Sequence, residues 1–350
     1  MRTLALVAVL ALSASVPVSL TAGPTSQQAK PFLGAWNING LAPDTAQIFW
    51  LEITEEAGQL KGMFLNRVGN PAPLGIVKVD GSELIFRAGT AERPNGPEYR
   101  ATIENGKLVG HHSVTQGRGG RGRNADPNAP PPPPPTERTV NWVGVRPPTF
   151  PPSDANAKHT YGPPVILFDN KSLDMWDVQA ANRPIGWAIV DGAMTNVPAA
   201  PPAEGQRAPT ANNLVSKERF NDFKVEAEYK LGPSCNSGIY LRGRYELQLL
   251  EDKDDTRTPP ILSHMAIYGR TPPLVKASKG AGEWQTMEAI VVGNRVTVTL
   301  NGQRVQDNAV ILGVTGGMLD NDELAPGPLM VQGDHSGVWI RKLVVTPISK

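Results

Sequence analysis

The strongest constraint on this chain is a turn signal repeated along it. Asp80-Gly81, Asn105-Gly106, Asp191-Gly192 and Asn301-Gly302 each separate two short runs in which apolar and polar residues alternate. An Asx-Gly pair readily takes the left-handed backbone conformations of a two-residue hairpin turn, and the alternation gives each flanking strand one apolar face. The runs are rich in Val, Ile, Thr and aromatic residues, and no long stretch carries a helical period. The chain is therefore expected to be all-β, its hairpins packed as barrels or sandwiches rather than as βαβ units. At 350 residues it is long for one core and accommodates two domains.

The first unit is expected over residues 30–146. IFWLEITEEAGQLKGMFL, VKVDGSELIFRA and YRATIENGKLVGHHSV read as a meander of hairpins that closes with RTVNWVGVRP. This predicts a small antiparallel β-barrel, lipocalin-like in general style. One hairpin carries a Gly/Arg/Pro insert at 117–135, a composition that supports neither a core nor a strand ladder and predicts an extended loop. Residues 147–164 are proline-dense and read as a stiff linker. The second unit runs from 165 to 350.

The first 22 residues have the pattern of a secretory signal: Arg2, then the apolar run LALVAVLALSA, then the small residues of SLTAG, with cleavage expected after Ala22. The apolar run is shorter than the ~20 residues a membrane span needs. A periplasmic or secreted protein is expected, with no membrane span after cleavage. The single cysteine, Cys235, excludes an intrachain disulfide. Net charge is +1 with both signs interspersed, and without a basic run nucleic acid is not an expected partner.

The second unit opens with VILFDNKSLDMWDV. It continues through GWAIVDGAMTN, NNLVSKERFNDFKVEAEYKL, NSGIYLRGRYELQLLED, HMAIYGRTPP, GEWQTMEAIVVGNRVTVTLNGQRV and GPLMVQGDHSGVWIRKLVV. This order of phrases, from Leu167 to Val345, resembles the 3-keto-disaccharide hydrolase family. The resemblance implies a concanavalin-like jelly roll of two antiparallel sheets with a sugar site on one of them. It also implies cleavage of glycosides already oxidised to a ketone at C3. The ketone comes from a separate sugar 3-dehydrogenase, so no nicotinamide is needed, and the chain carries no dinucleotide fingerprint.

A 3-keto group acidifies the C2 proton. Its removal gives an enediolate, the C1 oxygen leaves by β-elimination, and water then adds for net hydrolysis. This chemistry needs a base, donors or a metal for the enolate oxygen, and an acid for the leaving group. The densest polar cluster is NSGIYLRGRYELQLLED. Strand alternation puts Tyr240 and Arg242 on one face and Glu246 and Gln248 on one face of the next strand, with Leu247 and Leu249 turned into the core. Glu246 is the expected catalytic carboxylate, and Arg242, Gln248 and Tyr240 are expected to hold substrate. Glu251 is a further catalytic candidate, although the family pattern usually has Asp there. His264 and Tyr268 in HMAIYGR are substrate-contact candidates. In VQGDHSG, Gln332 is a substrate contact, His335 the proton-transfer histidine, and Asp334 its orienter or a metal ligand. No cofactor is required. The acidic run around Asp252 makes a divalent ion such as Ca²⁺ a candidate, with Asp334 and Asp252 as ligands.

Two other readings stay open. Glu246 and Glu251 stand five apart, as in laminarinase-type retaining glycosidases, where a bulge brings two carboxylates to one face. A non-catalytic carbohydrate-binding module has the same fold. Convergence of Glu246, Gln248, Asp334 and His335 in one pocket favours an enzyme, and scatter favours a module.

Overall fold

The computed structural model describes residues 25–90, 92–116, 136–197 and 210–349. The signal segment expected at 1–22 and the insert expected at 117–135 lie outside the described residues. No described helix is long and apolar enough to cross a membrane.

Eight strands form a closed antiparallel barrel: β1 (Gly34–Gly40), β2 (Ile48–Glu56), β3 (Gln59–Asn66), β4 (Ala72–Asp80), β5 (Glu83–Gly89), β6 (Pro94–Glu104), β7 (Lys107–Gln116) and β8 (Thr136–Val145). Each pairs with the next, and β8 returns to β1. Inward residues include Trp36, Ile38, Phe49, Leu51, Phe64, Phe86, Tyr99 and Trp142, all buried. Phe86 and Tyr99 stack with ring centroids 4.9 Å apart. A Cβ on Gly110 would meet the Trp142 indole at 2.3 Å, so this position has to be small for the barrel to close over its aromatic filling. The up-and-down topology is lipocalin-like, but the interior is packed with side chains.

The second unit is a two-sheet sandwich. Its strands are β9 (Thr160–Tyr161), β10 (Val165–Phe168), β11 (Trp176–Val178), β12 (Ala188–Val190), β13 (Ala193–Thr195), β14 (Leu214–Phe220), β15 (Phe223–Leu231), β16 (Asn236–Leu241), β17 (Tyr245–Leu250), β18 (Gln285–Val292), β19 (Arg295–Leu300), β20 (Gln303–Val310), β21 (Gly327–Val331) and β22 (Val338–Ser349). One sheet has the order β12-β13-β22-β15-β18-β19-β20, with β9 and β10 also paired to β22. The other has the order β11-β14-β21-β16-β17. The period of two is plain in β15, where Phe223, Val225, Ala227, Tyr229 and Leu231 are buried and the residues between them are half-exposed. These side chains meet Ile239, Leu247, Leu249, Leu329 and Val331 of the other sheet in one core. Jelly-roll architecture follows: one face of each sheet is apolar and turned inward, leaving the opposite face free for chemistry.

Three of the four Asx-Gly signals close two-residue turns, joining Glu104 to Lys107, Val190 to Ala193 and Leu300 to Gln303 across the hairpin. At the fourth, Asp80 pairs with Glu83, so Gly81 and Ser82 make the turn and Asp80 stays in the strand. The proline-dense segment is laid against the sandwich. Ala155 is buried and its N–H donates to Asn308 Oδ1 at 2.9 Å, and Asn156 donates to Asp307.

Barrel and sandwich share a packed boundary. Ile48, Trp50 and Leu65 point out of the barrel into the sandwich core. The Arg270 guanidinium lies 3.9 Å from the Trp50 ring centroid, and burial lowers its pKa to about 10. Asn37 Nδ2 donates to Glu323 Oε1 at 2.8 Å, and the Tyr245 hydroxyl donates to the other carboxylate oxygen at 2.9 Å. One acidic side chain thus ties the two units together.

Candidate active site

The hairpin β16–β17 carries the site. Its register is regular from Asn236↔Leu250 to Leu241↔Tyr245. Asn236, Gly238, Tyr240, Glu246 and Gln248 therefore share the face turned away from the core, and Ile239, Leu241, Leu247 and Leu249 fill the core face. On the outer edge of β17, Gln248 exchanges backbone hydrogen bonds with Met265 and Ala266, and Tyr268 N–H donates to Glu246 O. This pairing brings the Tyr268 ring to the same face. From the other side come Gln332, Asp334 and His335, which follow β21, and Gln179 and Asn213, which flank β11 and β14. Together they line a polar pocket of about 380 Å³.

Glu246 sits at its base, 3% exposed. Burial raises its pKa to about 8; the Tyr240 hydroxyl beside it opposes that rise, and the Asp334 carboxylate adds to it. A Cβ on Gly238 would lie 2.3 Å from Glu246 Oε1, so the cross-strand glycine is what leaves room for this carboxylate. The Gln248 amide, oriented with its nitrogen toward Glu246, donates to Ser237 O at 3.0 Å and Glu246 Oε1 at 3.2 Å. Tyr240 donates to Gly316 O at 2.9 Å. At the mouth, His335 Nδ1 and Asp334 Oδ1 are 2.8 Å apart. That contact raises the histidine pKa above 6.5 and lowers that of the aspartate. With Nδ1–H held by the carboxylate, Nε2 is the free basic atom. Gln332 Oε1 is buried with no hydrogen-bond partner, an acceptor available to a sugar hydroxyl.

Several sequence expectations place elsewhere. Arg242 is in the hairpin turn at φ 54°, not in the strand, so the alternation that would put it beside Tyr240 ends one residue too early. Its guanidinium donates to Asn221 O, Gly293 O and Asp222 at 2.6, 2.7 and 2.9 Å and locks the end of the sandwich. His264 is buried and does not line the pocket. Its Nδ1 accepts the Leu250 N–H at 3.1 Å, so its proton is on Nε2, facing the Tyr229 hydroxyl at 2.8 Å. Burial lowers its pKa to about 4, which keeps it neutral. Glu251 lies beyond the end of β17 and does not line the pocket. Without a bulge in β17, Glu246 and Glu251 do not form the pair a retaining glycosidase needs. Asp252 is also outside the pocket, and its Oδ2 accepts the His264 N–H at 3.2 Å. Asp255 is held by Arg257. The acidic run thus does not assemble with Asp334, and among the described residues no three His, Cys, Asp or Glu side chains form a metal-ligand cluster.

A family model for the 3-keto-alpha-glucoside-1,2-lyase-like domain matches residues 163–346. The chain belongs to this family. Among solved structures, a presumed glycosyl hydrolase from Parabacteroides distasonis is 28% identical over 52% of this chain and 82% of its own, with a TM-score of 0.39. A second from the same organism is 20% identical over 53% and 100%, with a TM-score of 0.40. The endo-beta-1,3(4)-glucanase SCLam is 10% identical over 57% and 95%, with a TM-score of 0.35. No curated protein matches. The family match ends short of the barrel, and the barrel supplies Arg67, Val68 and Gly69 to the pocket wall. Sequence reasoning missed these three along with Gln179, Asn213 and Asn236. Asn236 stands in register with the polar face of β16 and was open to the same alternation argument. No local signal marks the others.

Proposed function

We propose that this 3-keto-glucoside lyase-like chain cleaves glycosides bearing a ketone at C3 of the sugar, by C2 deprotonation and β-elimination. The observation that carries the reading is the meeting, in one polar pocket, of a buried carboxyl group that stays protonated near neutrality with an imidazole held by a carboxylate. A carboxyl group that keeps its proton suits the acid of such a reaction, and an imidazole whose Nδ1 is fixed by a carboxylate suits the base.

In this reading His335 Nε2 takes the C2 proton while Asp334 stabilises the imidazolium. The C2–H electrons form the C2=C3 enolate. They return as the C3 ketone re-forms, C1=C2 forms and the C1–O bond breaks. Glu246 gives its proton to the departing oxygen. Water added across C1=C2 completes a net hydrolysis, and without it the product is an unsaturated keto sugar. Gln332, Tyr268 and Gln248 offer donors and acceptors to sugar oxygens. A separate sugar 3-dehydrogenase supplies the oxidised substrate. The convergence of Glu246, Gln248, Asp334 and His335 favours an enzyme over a binding module.

The test is aglycone release from a 3-keto-glucoside and from its unoxidised parent. Release from the keto form alone is expected. Cleavage of the parent points to ordinary glycosidase chemistry, and cleavage of neither removes this reading.

A further inference from the structure

The loop between β3 and β4 reaches out of the barrel and forms one wall of the sandwich's pocket. It is clamped there by backbone. Gly317 N–H donates to Arg67 O at 2.6 Å. A Cβ on Gly316 would lie 2.0 Å from Gly69 O, and one on Gly269 2.6 Å from Asn70 Cβ. Two glycine-lined surfaces of the sandwich therefore accept the loop at a distance no side chain permits. The clamp touches the chemistry directly, because Gly316 O is the acceptor for the Tyr240 hydroxyl beside Glu246.

Arg67 stands out within this loop. It holds φ at 51°, a left-handed conformation that glycine adopts more cheaply, which is the kind of local strain that collects at ligand sites. Arg242, Arg244 and Arg270 are each tied to protein carbonyls or carboxylates. The Arg67 guanidinium has no such tie among the described residues. It is the only Lys or Arg among the residues lining the pocket, beside two carboxyl groups, a histidine and two tyrosines. A substrate whose C3 oxygen gains negative charge needs a fixed cation on the wall, and a guanidinium supplies both charge and a planar pair of donors.

We propose that Arg67, supplied by the barrel, is a substrate-positioning residue that takes the C3 oxygen of the keto sugar, so that barrel and sandwich share one active site. This rests on the elimination reading above. The test uses full-length protein in an E246Q background, which binds without releasing the aglycone. Calorimetric titration with a methyl 3-keto-α-glucoside is expected to show E246Q/R67A binding roughly 10- to 100-fold more weakly than E246Q, with E246Q/R67K in between and thermal midpoints unchanged. Equal affinity of E246Q and E246Q/R67A overturns the inference and leaves the elimination reading standing. A weakened R67A complex together with a wild type that releases no aglycone does the reverse. Absence of any binding to E246Q removes both.

Discussion

At the scale of single residues, the most consequential feature of the pocket is the burial of Glu246. In an unfolded chain this carboxyl ionises near 4.5, and in the pocket it does so at about 8. Between those values the folded state holds the extra proton, so stability falls as pH rises, by up to about 1.4 kcal/mol per pH unit. E246Q removes that dependence. Chemical denaturation is expected to give wild type and E246Q similar stability near pH 5 and E246Q the higher stability at pH 8 and above. In the proposed mechanism the acid limb of kcat/KM is expected to follow protonation of His335 and the alkaline limb ionisation of Glu246 near 8. The residues themselves were partly legible. Glu246, Gln248 and Tyr240 followed from the period of two because they sit inside regular strands. Arg242 falls outside the pocket because that period does not extend through a turn. His264 was misread because its backbone partner, Leu250, comes from the fold and not from its neighbours in sequence.

At the scale of elements, the β16–β17 hairpin works because of what faces Glu246 across it. Gly238 is opposite Gln248 and lies against the Glu246 carboxylate. G238A is therefore expected to displace the carboxylate while the hairpin stays paired, since both strands keep their core-facing residues. Steady-state kinetics should show kcat/KM down by about 100-fold with the far-ultraviolet dichroism unchanged. The strands and hairpin turns could be read from the Asx-Gly signals, where local backbone preference and tertiary structure agree. The β3–β4 loop could not. Its role depends on Gly316 and Gly317, about 250 residues further along the chain and brought alongside by tertiary packing alone, and the loop itself carries no motif.

At the scale of the whole molecule, barrel and sandwich share an apolar boundary. Trp50 belongs to a barrel strand, yet its ring is buried in the sandwich core and covered by Arg270. W50A is expected to cost about 3–5 kcal/mol and to lower the stability of both units together, visible in calorimetry as one shifted transition. Two separated transitions would mean that the boundary is weak. The two-domain, all-β plan was legible in composition and hairpin spacing. The docking was not, because an outward-facing Trp on a barrel strand looks the same in sequence whether it meets solvent or a partner domain.

In the proposed reaction the pocket removes the C2 proton before the aglycone leaves, with His335 as base and Glu246 as acid. The direct measurement is loss of label from a C2-deuterated 3-keto-glucoside in ordinary water, followed beside aglycone release for wild type, E246Q and H335N. Wild type is expected to do both, E246Q to exchange the C2 deuterium while releasing little aglycone, and H335N to do neither. Aglycone release with full retention of C2 deuterium in the recovered sugar would contradict the proposed reaction.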